Sequence, residues 1–196
     1  HITNRFNYKM EIQLTSQQKT SLYSRSKDNH RLTVGYTYFE EPDRLKQQIK
    51  VWQSWPANVD IFLVDDGSEI FPAKDIIDSH LILEDWQPTF QLWKCTRNLG
   101  FNSHGCRNLI AKYAQTDVIQ FLDIDMIIYP GDIAKMKQIA FEPDYIAHHK
   151  LYSTFNQKVV WHPGHLNAFA IHKDLYWKAG GYDESFTGHH WGDREF

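Results

Sequence analysis

Cysteine is scarce in this 196-residue chain, which has only Cys95 and Cys106. Two cysteines without a CxxC spacing make neither a disulfide framework nor a structural zinc site. We therefore expect both thiols to be reduced and structural, which favours the cytosol. Long apolar runs are also missing, because no stretch approaches the roughly 20 residues that span a bilayer. We expect no transmembrane segment in this chain.

The sequence also has no large excess of positive or negative charge. The formal net charge is −3, and lysine and arginine form no run, so a nucleic-acid or anionic-membrane partner has no electrostatic support. No signal-like segment is visible at the start of the sequence. We expect a cytoplasmic protein, or one that reaches a membrane through a further segment or partner.

The domain organisation follows from length and composition. Internal repeats and low-complexity linkers are absent, and the length fits one domain. Residues 1–30 are polar and rich in Gln, Ser, Lys and Asn, which predicts an N-terminal arm with at most one short strand or helix. Residues 31–196 are predicted to form one domain.

Within that domain, strand-like and helix-like patterns alternate. The predicted strands are Leu32–Phe39, Val59–Val64, Leu81–Leu83, Phe90–Trp93, Val118–Leu122, Tyr145–Leu151 and Ala168–His172. The predicted helices run from Glu41 to Trp55, from Asn102 or Ser103 to about Gln115, over about ten residues from Pro130, and over Asp174–Lys178. This alternation predicts an α/β fold with a mostly parallel sheet flanked by helices. Such sheets bind ligands beyond the carboxyl ends of their strands.

Asp123 and Asp125 follow a buried strand at such an end. In an extended segment, residues two apart project to the same side, which leaves Ile124 facing the core. Two carboxylates can hold manganese or magnesium, with a diphosphate supplying further oxygen ligands. The metal would stabilise a departing nucleotide diphosphate. The alternative is that these acids cap a turn or lie on the surface.

Two further segments carry polar candidates. An acid in Asp65-Asp66-Gly67-Ser68 can accept a hydrogen bond from a base or a ribose, although Asp-Gly is also ordinary in a tight turn. Asn98 belongs to a Gly-containing segment that precedes a helix. On that helix, Arg107 can reach a phosphate, hold an aspartate in place, or form a surface ion pair.

Four motifs follow one another along the chain. They are VDDGS at Val64–Ser68, NLGFNSHGCRN at Asn98–Asn108, FLDIDM at Phe121–Met126 and GGYDESFTGHHWGDREF at Gly180–Phe196. Their order and spacing resemble those of family 2-like glycosyltransferases with the GT-A fold, from about Leu32 to the end of the sequence. The first strand departs from the family pattern, because it reads VGYTYFEE where Pro-Thr-Tyr-Asn is usual.

The resemblance implies transfer of a sugar from a nucleotide-diphosphate sugar, most often a UDP-sugar, to a carbohydrate or glycoconjugate acceptor. The acids of the VDDGS turn would contact uracil or ribose, and the exit of the first strand would line the base. Asp123 and Asp125 would match the DxD motif, with manganese or magnesium. The donor-binding candidates are Tyr36, Tyr38, Asp65, Asp66, Asn98, Arg107 and Asp123.

The end of the chain supplies catalytic and further metal-binding candidates by the same resemblance. Asp193 matches the acid after a Trp-Gly turn, which in inverting members is the general base on the acceptor hydroxyl. Asp183 and Glu184 are a second possibility, although Asp-Glu after Gly-Gly-Tyr is typical of a turn. His165 and His189 lie near the place where some relatives have a third metal ligand.

Two other functions compete with an inverting glycosyltransferase. A sugar-1-phosphate nucleotidyltransferase shares the layout, but it would need a Gly-rich, basic loop after the first strand. The stretch Tyr38–Pro42 is acidic and lacks glycine, which argues against that enzyme. A catalytically silent nucleotide-sugar-binding module would keep the same acids, and only turnover separates it from an enzyme.

Overall fold

The computed structural model describes residues 11–12, 31–56, 58–81, 88–133, 146–148, 151–155, 158–162 and 167–186. Its strands are β1 (Glu11–Ile12), β2 (Leu32–Tyr38), β3 (Val59–Asp65), β4 (Thr89–Lys94), β5 (Val118–Asp123), β6 (Ile146–His148), β7 (Leu151–Phe155), β8 (Lys158–His162) and β9 (Phe169–His172). Its helices are α1 (Pro42–Trp52), α2 (Ala73–His80), α3 (Ser103–Tyr113) and α4 (Lys173–Lys178). A further helical turn occupies residues 130–133.

Seven of these strands form one sheet, in the order β1-β4-β3-β2-β5-β9-β6. The four central strands, β4, β3, β2 and β5, are parallel. The strands β1, β9 and β6 extend the sheet by antiparallel pairing, and β7 pairs with β8 in a separate hairpin. The predicted α/β fold, with a sheet flanked by helices, is confirmed.

Alternation along the strands divides the core between the two faces of the sheet. On β3, Ile61 and Leu63 belong to a cluster that includes apolar residues of α1 and α2. Phe62 and Val64 point to the other face and join a cluster that includes residues of α3 and α4. The continuous apolar run of β3 is therefore that of a strand buried on both faces.

Local signals account for the helix starts. Pro42 occupies the first turn of α1, where the missing N–H of proline costs nothing. The side chain of Asn102 accepts the N–H of Gly105 at 3.0 Å and so caps α3. Both starts were predicted, whereas α3 ends at Tyr113, two residues before the predicted end.

Several elements differ from the prediction. Helix α2 was not predicted, because eight residues with three buried apolar positions give little helical periodicity. Leu81 follows the end of α2, and the rest of the predicted strand Leu81–Leu83 lies outside the described residues. The predicted strand Tyr145–Leu151 corresponds to parts of β6 and β7, which belong to different sheets.

Within the predicted N-terminal arm, Glu11 and Ile12 form β1 and pair with Lys94 and Trp93 of β4. This pairing places a short strand at one edge of the sheet. Of the helices in the described part of the chain, none has the length and apolar character needed to cross a bilayer.

Gly35 of β2 lies directly against Ile110 of α3. A Cβ at this position would lie 2.6 Å from Cγ2 of Ile110. We predict that Gly35→Ala destabilises the protein by about 1–3 kcal/mol through overpacking. Urea unfolding of this variant measures the loss. The control is Gly131→Ala, where a Cβ would meet nothing within 4 Å; equal stability of the two variants would contradict the packing argument.

Candidate functional site

The site lies where the central parallel strands end together. Register places Tyr38 of β2 beside Asp65 of β3, and Thr37 of β2 beside Asp123 of β5. The sequence segments that follow β3 and β5 therefore meet at one edge of the sheet. Such an edge is where α/β sheets bind ligands.

Asp123, the last residue of β5, is held by two side chains. The guanidinium of Arg107 donates from Nη2 to Oδ1 at 2.7 Å, and the amide of Asn167 donates from Nδ2 to Oδ2 at 2.8 Å. The Arg107 side chain is 1% exposed, against 27% for Asp123. Of the roles predicted for Arg107, the structure shows contact with an aspartate.

Asp125 is more open, with its side chain 48% exposed. Its Oδ2 lies 2.7 Å from Nη1 of Arg44, whose Nε lies 3.3 Å from Oε2 of Glu41. The predicted extended arrangement of Asp123 and Asp125 is wrong, because β5 ends at Asp123. The chain then turns, and the N–H of Met126 donates to the carbonyl of Asp123 at 3.0 Å. Ile124 is buried in the core, as predicted.

Gln48 of α1 supports this turn from inside the protein. Its side chain is fully buried, and its Nε2 donates to the carbonyls of Ile124 and Met126 at 2.9 and 2.6 Å. Sequence reasoning missed Gln48, together with Arg44 and Asn167. A signal for Gln48 was present, since it is a polar residue three positions after Leu45 on the face of α1 that also carries Ile49 and Trp52.

The tyrosines of β2 do not face the site. Tyr36 and Tyr38 are both 0% exposed, and burial raises the pKa of each phenol. The Tyr36 hydroxyl donates to Oε1 of Gln48 at 3.4 Å, and the Tyr38 hydroxyl donates to the carbonyl of Phe71 at 2.6 Å. The prediction that these rings line a nucleotide base is therefore corrected, because both belong to the core.

Asp65 organises the loop after β3. It is 1% exposed, and its two carboxylate oxygens accept the N–H groups of Ser68 and Ala73, each at 2.8 Å. Burial raises the pKa of this carboxyl group. Asp65 therefore joins the loop to the start of α2. Its carboxylate is not exposed at the end of the strands, as that of a donor-binding residue would be.

Asp66 lies equally deep and faces α3. It is 2% exposed, and its carboxylate accepts the N–H of Asn102. Burial raises the pKa of Asp66 to about 6, although the Asn102 N–H opposes that shift. In this position Asp66 anchors the start of α3, so it too does not present its carboxylate to a nucleotide.

The loop after β3 packs closely against the loop that precedes α3. Gly67 has φ +79°, and a Cβ there would lie 3.0 Å from the backbone of Arg97 and of Asn98, so only glycine suits the position. Asn98 is exposed, and its Oδ1 accepts the N–H of Gly100 at 2.8 Å. The candidate Asn98 thus lies beside the VDDGS turn.

Helix α3 also organises the Gly-Gly-Tyr-Asp-Glu turn. Nδ2 of Asn108 donates to the carbonyl of Tyr182 and to Oε1 of Glu184, both at 2.9 Å. The Arg107 guanidinium lies 5.2 Å from the ring centre of Tyr182. Oδ1 of Asp183 accepts the N–H of Ser185 at 2.8 Å, which is a turn contact. The turn is therefore joined through α3 to Asp123.

The two cysteines are free and buried. Their sulfur atoms and a carboxylate oxygen of Asp66 lie within 4.8 Å of one another. The neighbouring Cys95 thiol and burial hold the pKa of Cys106 well above its usual value, so that thiol stays neutral and unreactive at neutral pH. The prediction that both cysteines are reduced and structural agrees with this environment.

Three predicted residues, Asp193, His165 and His189, lie outside the described residues. Of the residues that the sequence predicted to bind metal, the structure describes Asp123 and Asp125. Their carboxylate oxygens are the ligands that magnesium and manganese prefer, and both side chains are partly exposed. The donor set fits a hard divalent cation.

The raised pKa of Asp66 gives a prediction with a definite sign. The pKa of Asp66 is 3.8 in the unfolded chain and about 6 in the folded protein. Between these two pH values the folded protein binds the proton of Asp66 more tightly than the unfolded chain does. The free energy of unfolding therefore falls as pH rises through that window. We predict that the free energy of unfolding of wild type falls by up to about 3 kcal/mol, relative to that of Asp66→Asn, between pH 4 and 7. Urea unfolding across that range measures the difference.

The control for this comparison is Asp43→Asn, at an acid whose side chain is 94% exposed. The difference in stability between wild type and this variant should change little over the same pH range. A constant difference between wild type and Asp66→Asn would contradict the raised pKa of Asp66.

Three solved structures with similar folds are distant in sequence. A mannosyltransferase, PcManGT from Pyrobaculum calidifontis, solved with GDP-Man and Mn²⁺, has a TM-score of 0.56 and 15% identity over 81% of this chain. GalNAc-T7, solved with UDP, GalNAc and Mn²⁺, has a TM-score of 0.53 and 12% identity over 85% of this chain. TarS of S. aureus has a TM-score of 0.54 and 14% identity over 80%.

This chain spans 49%, 40% and 31% of the lengths of those three proteins, respectively. Identities this low show a shared fold, which is the GT-A fold that the motifs predicted. No curated protein matches the sequence significantly. The model of glycosyl transferase family 2, however, matches residues 33–191. That match takes in both strand-end acid turns and most of the chain, and the chain therefore belongs to glycosyl transferase family 2.

Proposed function

We propose that this chain is the donor-binding domain of a metal-dependent glycosyltransferase. It would move a sugar from a nucleotide-diphosphate sugar, with UDP-sugars as first candidates, to a hydroxyl of a carbohydrate or glycoconjugate. The observation that carries the proposal is the position of Asp123 and Asp125, partly exposed at the carboxyl end of a central parallel strand.

Asp123 and Asp125 would hold manganese or magnesium, which when bound supplies positive charge to a departing nucleotide diphosphate. The residues around them keep the acids in position. Arg107 and Asn167 hold the carboxylate of Asp123, while Gln48 holds the backbone of the turn. Two of the similar structures contain Mn²⁺ together with GDP-Man or with UDP and GalNAc, which supports this assignment.

The acceptor side of the reaction needs a base, because a sugar hydroxyl is a weak nucleophile. We assign this role to Asp193, with direct displacement and inversion at the anomeric carbon. The turn at Tyr182–Glu184 precedes Asp193 by about ten residues and is joined through α3 to Asp123. We also expect the transfer to be a step in the synthesis of a glycan or polysaccharide.

The proposal is tested by thermal shift with UDP, GDP and their sugars, with and without Mn²⁺. We predict a rise in Tm that requires both Mn²⁺ and one class of nucleotide, because the metal joins the diphosphate to the protein. Asp125→Asn should abolish that rise by removing a charged metal ligand.

The control variant is Asp117→Asn, which alters an exposed aspartate just before β5, at the opposite end of that strand. It should keep the full metal-dependent shift. If Asp125→Asn also kept it, the metal would lie elsewhere and the proposed site would be wrong.

A further inference from the structure

Each acid at the end of β5 is paired with an arginine, but the two arginines differ in exposure to solvent. Arg107 is 1% exposed and sits on the buried face of α3. The Arg44 side chain is 47% exposed and comes from the first turns of α1. A buried guanidinium that is packed and paired cannot leave without a large cost, whereas a half-exposed ion pair contributes little to stability and is broken easily.

Arg44 already has a second partner. Its Nε lies 3.3 Å from Oε2 of Glu41, while its Nη1 lies 2.7 Å from Oδ2 of Asp125. The guanidinium can therefore release Asp125 and remain close to the site. Arginine is also the side chain best suited to grip a phosphate through two parallel hydrogen bonds.

These contacts have an electrostatic consequence for metal binding. A divalent cation on the oxygens of Asp125 would displace Arg44 or lie next to its positive charge. A cation alone therefore binds against repulsion. A nucleoside diphosphate that arrives with the cation reverses this effect, because its negative oxygens attract both the metal and the displaced guanidinium.

We propose that Arg44 is a mobile counter-ion, which pairs with Asp125 in the absence of donor and moves onto the donor diphosphate when a metal ion takes Asp125. Arg44 thereby makes the binding of metal and nucleotide cooperative. The inference rests on the proposed function, since it assumes that Asp123 and Asp125 bind the metal. By linkage, each ligand must strengthen the binding of the other by the same factor.

The test is the affinity for Mn²⁺, measured from the electron paramagnetic resonance signal of the free ion, with and without saturating UDP or GDP. The variants are Arg44→Met, which removes the charge, and Arg44→Lys, which keeps it. Lys46→Met is the matched control, because it removes a unit charge from the same helix, where Lys46 pairs with Asp43 at 3.3 Å. Asp125→Asn reports on the metal site itself.

We expect Arg44→Met to bind Mn²⁺ about threefold or more tightly than wild type without nucleotide, because the competing charge is gone. With nucleotide, this gain should vanish or reverse, since the diphosphate loses a partner. The factor by which nucleotide tightens Mn²⁺ binding should therefore fall by at least about threefold. Arg44→Lys should lie between the two, and Lys46→Met should stay close to wild type.

Two outcomes would overturn the role of Arg44 while leaving the proposed function in place. One is that Arg44→Met matches Lys46→Met in both conditions, although Asp125→Asn abolishes binding. The other is that Arg44→Met weakens Mn²⁺ binding without nucleotide, which would make Arg44 a support for the metal ligand. If wild type and Asp125→Asn bind Mn²⁺ equally with nucleotide present, the proposed metal site fails and the inference fails with it.

Discussion

The balance of charge at the end of β5 is the constraint on which the site depends. Asp123 and Asp125 lie two positions apart in the sequence, so one turn carries two negative charges. A buried arginine neutralises the first acid and a half-exposed arginine neutralises the second. The buried pair cannot be broken cheaply, because either partner alone would be an uncompensated charge in a poorly solvated place.

This constraint joins elements that are far apart in sequence. Arg107 belongs to α3, and its neighbour Asn108 holds the turn at Tyr182–Glu184. On the other side, Gln48 of α1 holds the backbone of the turn at Ile124 and Met126. The acids are thus fixed by helices from both faces of the sheet. These contacts hold the carboxylate of Asp123 and the backbone of the turn in one arrangement, whereas Asp125 keeps the half-exposed Arg44 as its partner.

The other acidic turn has a different physical role from the one its sequence indicates. Asp65 and Asp66 look like nucleotide contacts, yet their carboxylates accept backbone N–H groups and are almost fully buried. They shape the loop between β3 and α2 and anchor the start of α3. Any contribution they make to donor binding in this conformation comes through the loop backbone that they hold.

The sequence predicted the central strands and the strand-end acids well, because both depend on local signals. Apolar runs such as VDIFLV and VIQFL stop at aspartates, and that pattern alone places both acidic turns at one edge of a parallel sheet. The partners of those acids could not be predicted in the same way. Gln48 contacts Ile124 across 76 positions, and such pairing depends on the packing of α1 against the finished sheet.

The edges of the fold escaped prediction for a related reason. The pairing of β1 with β4 joins two residues of a polar segment to a distant strand, and short strands carry too little periodicity to be recognised. Tyr36 and Tyr38 were misplaced because the family resemblance put the exit of the first strand against the nucleotide base. Here both faces of β2 are covered.

Crystallography can show whether the carboxylates of Asp123 and Asp125 bind a divalent cation together with a nucleoside diphosphate. Crystals grown with Mn²⁺ and UDP or GDP, measured near the manganese absorption edge, would locate the ion by its anomalous signal. We expect a peak bonded to an oxygen of Asp125 and to the diphosphate, with the Arg44 guanidinium moved off Asp125. A bound nucleotide with no manganese at Asp123 or Asp125 would contradict this expectation.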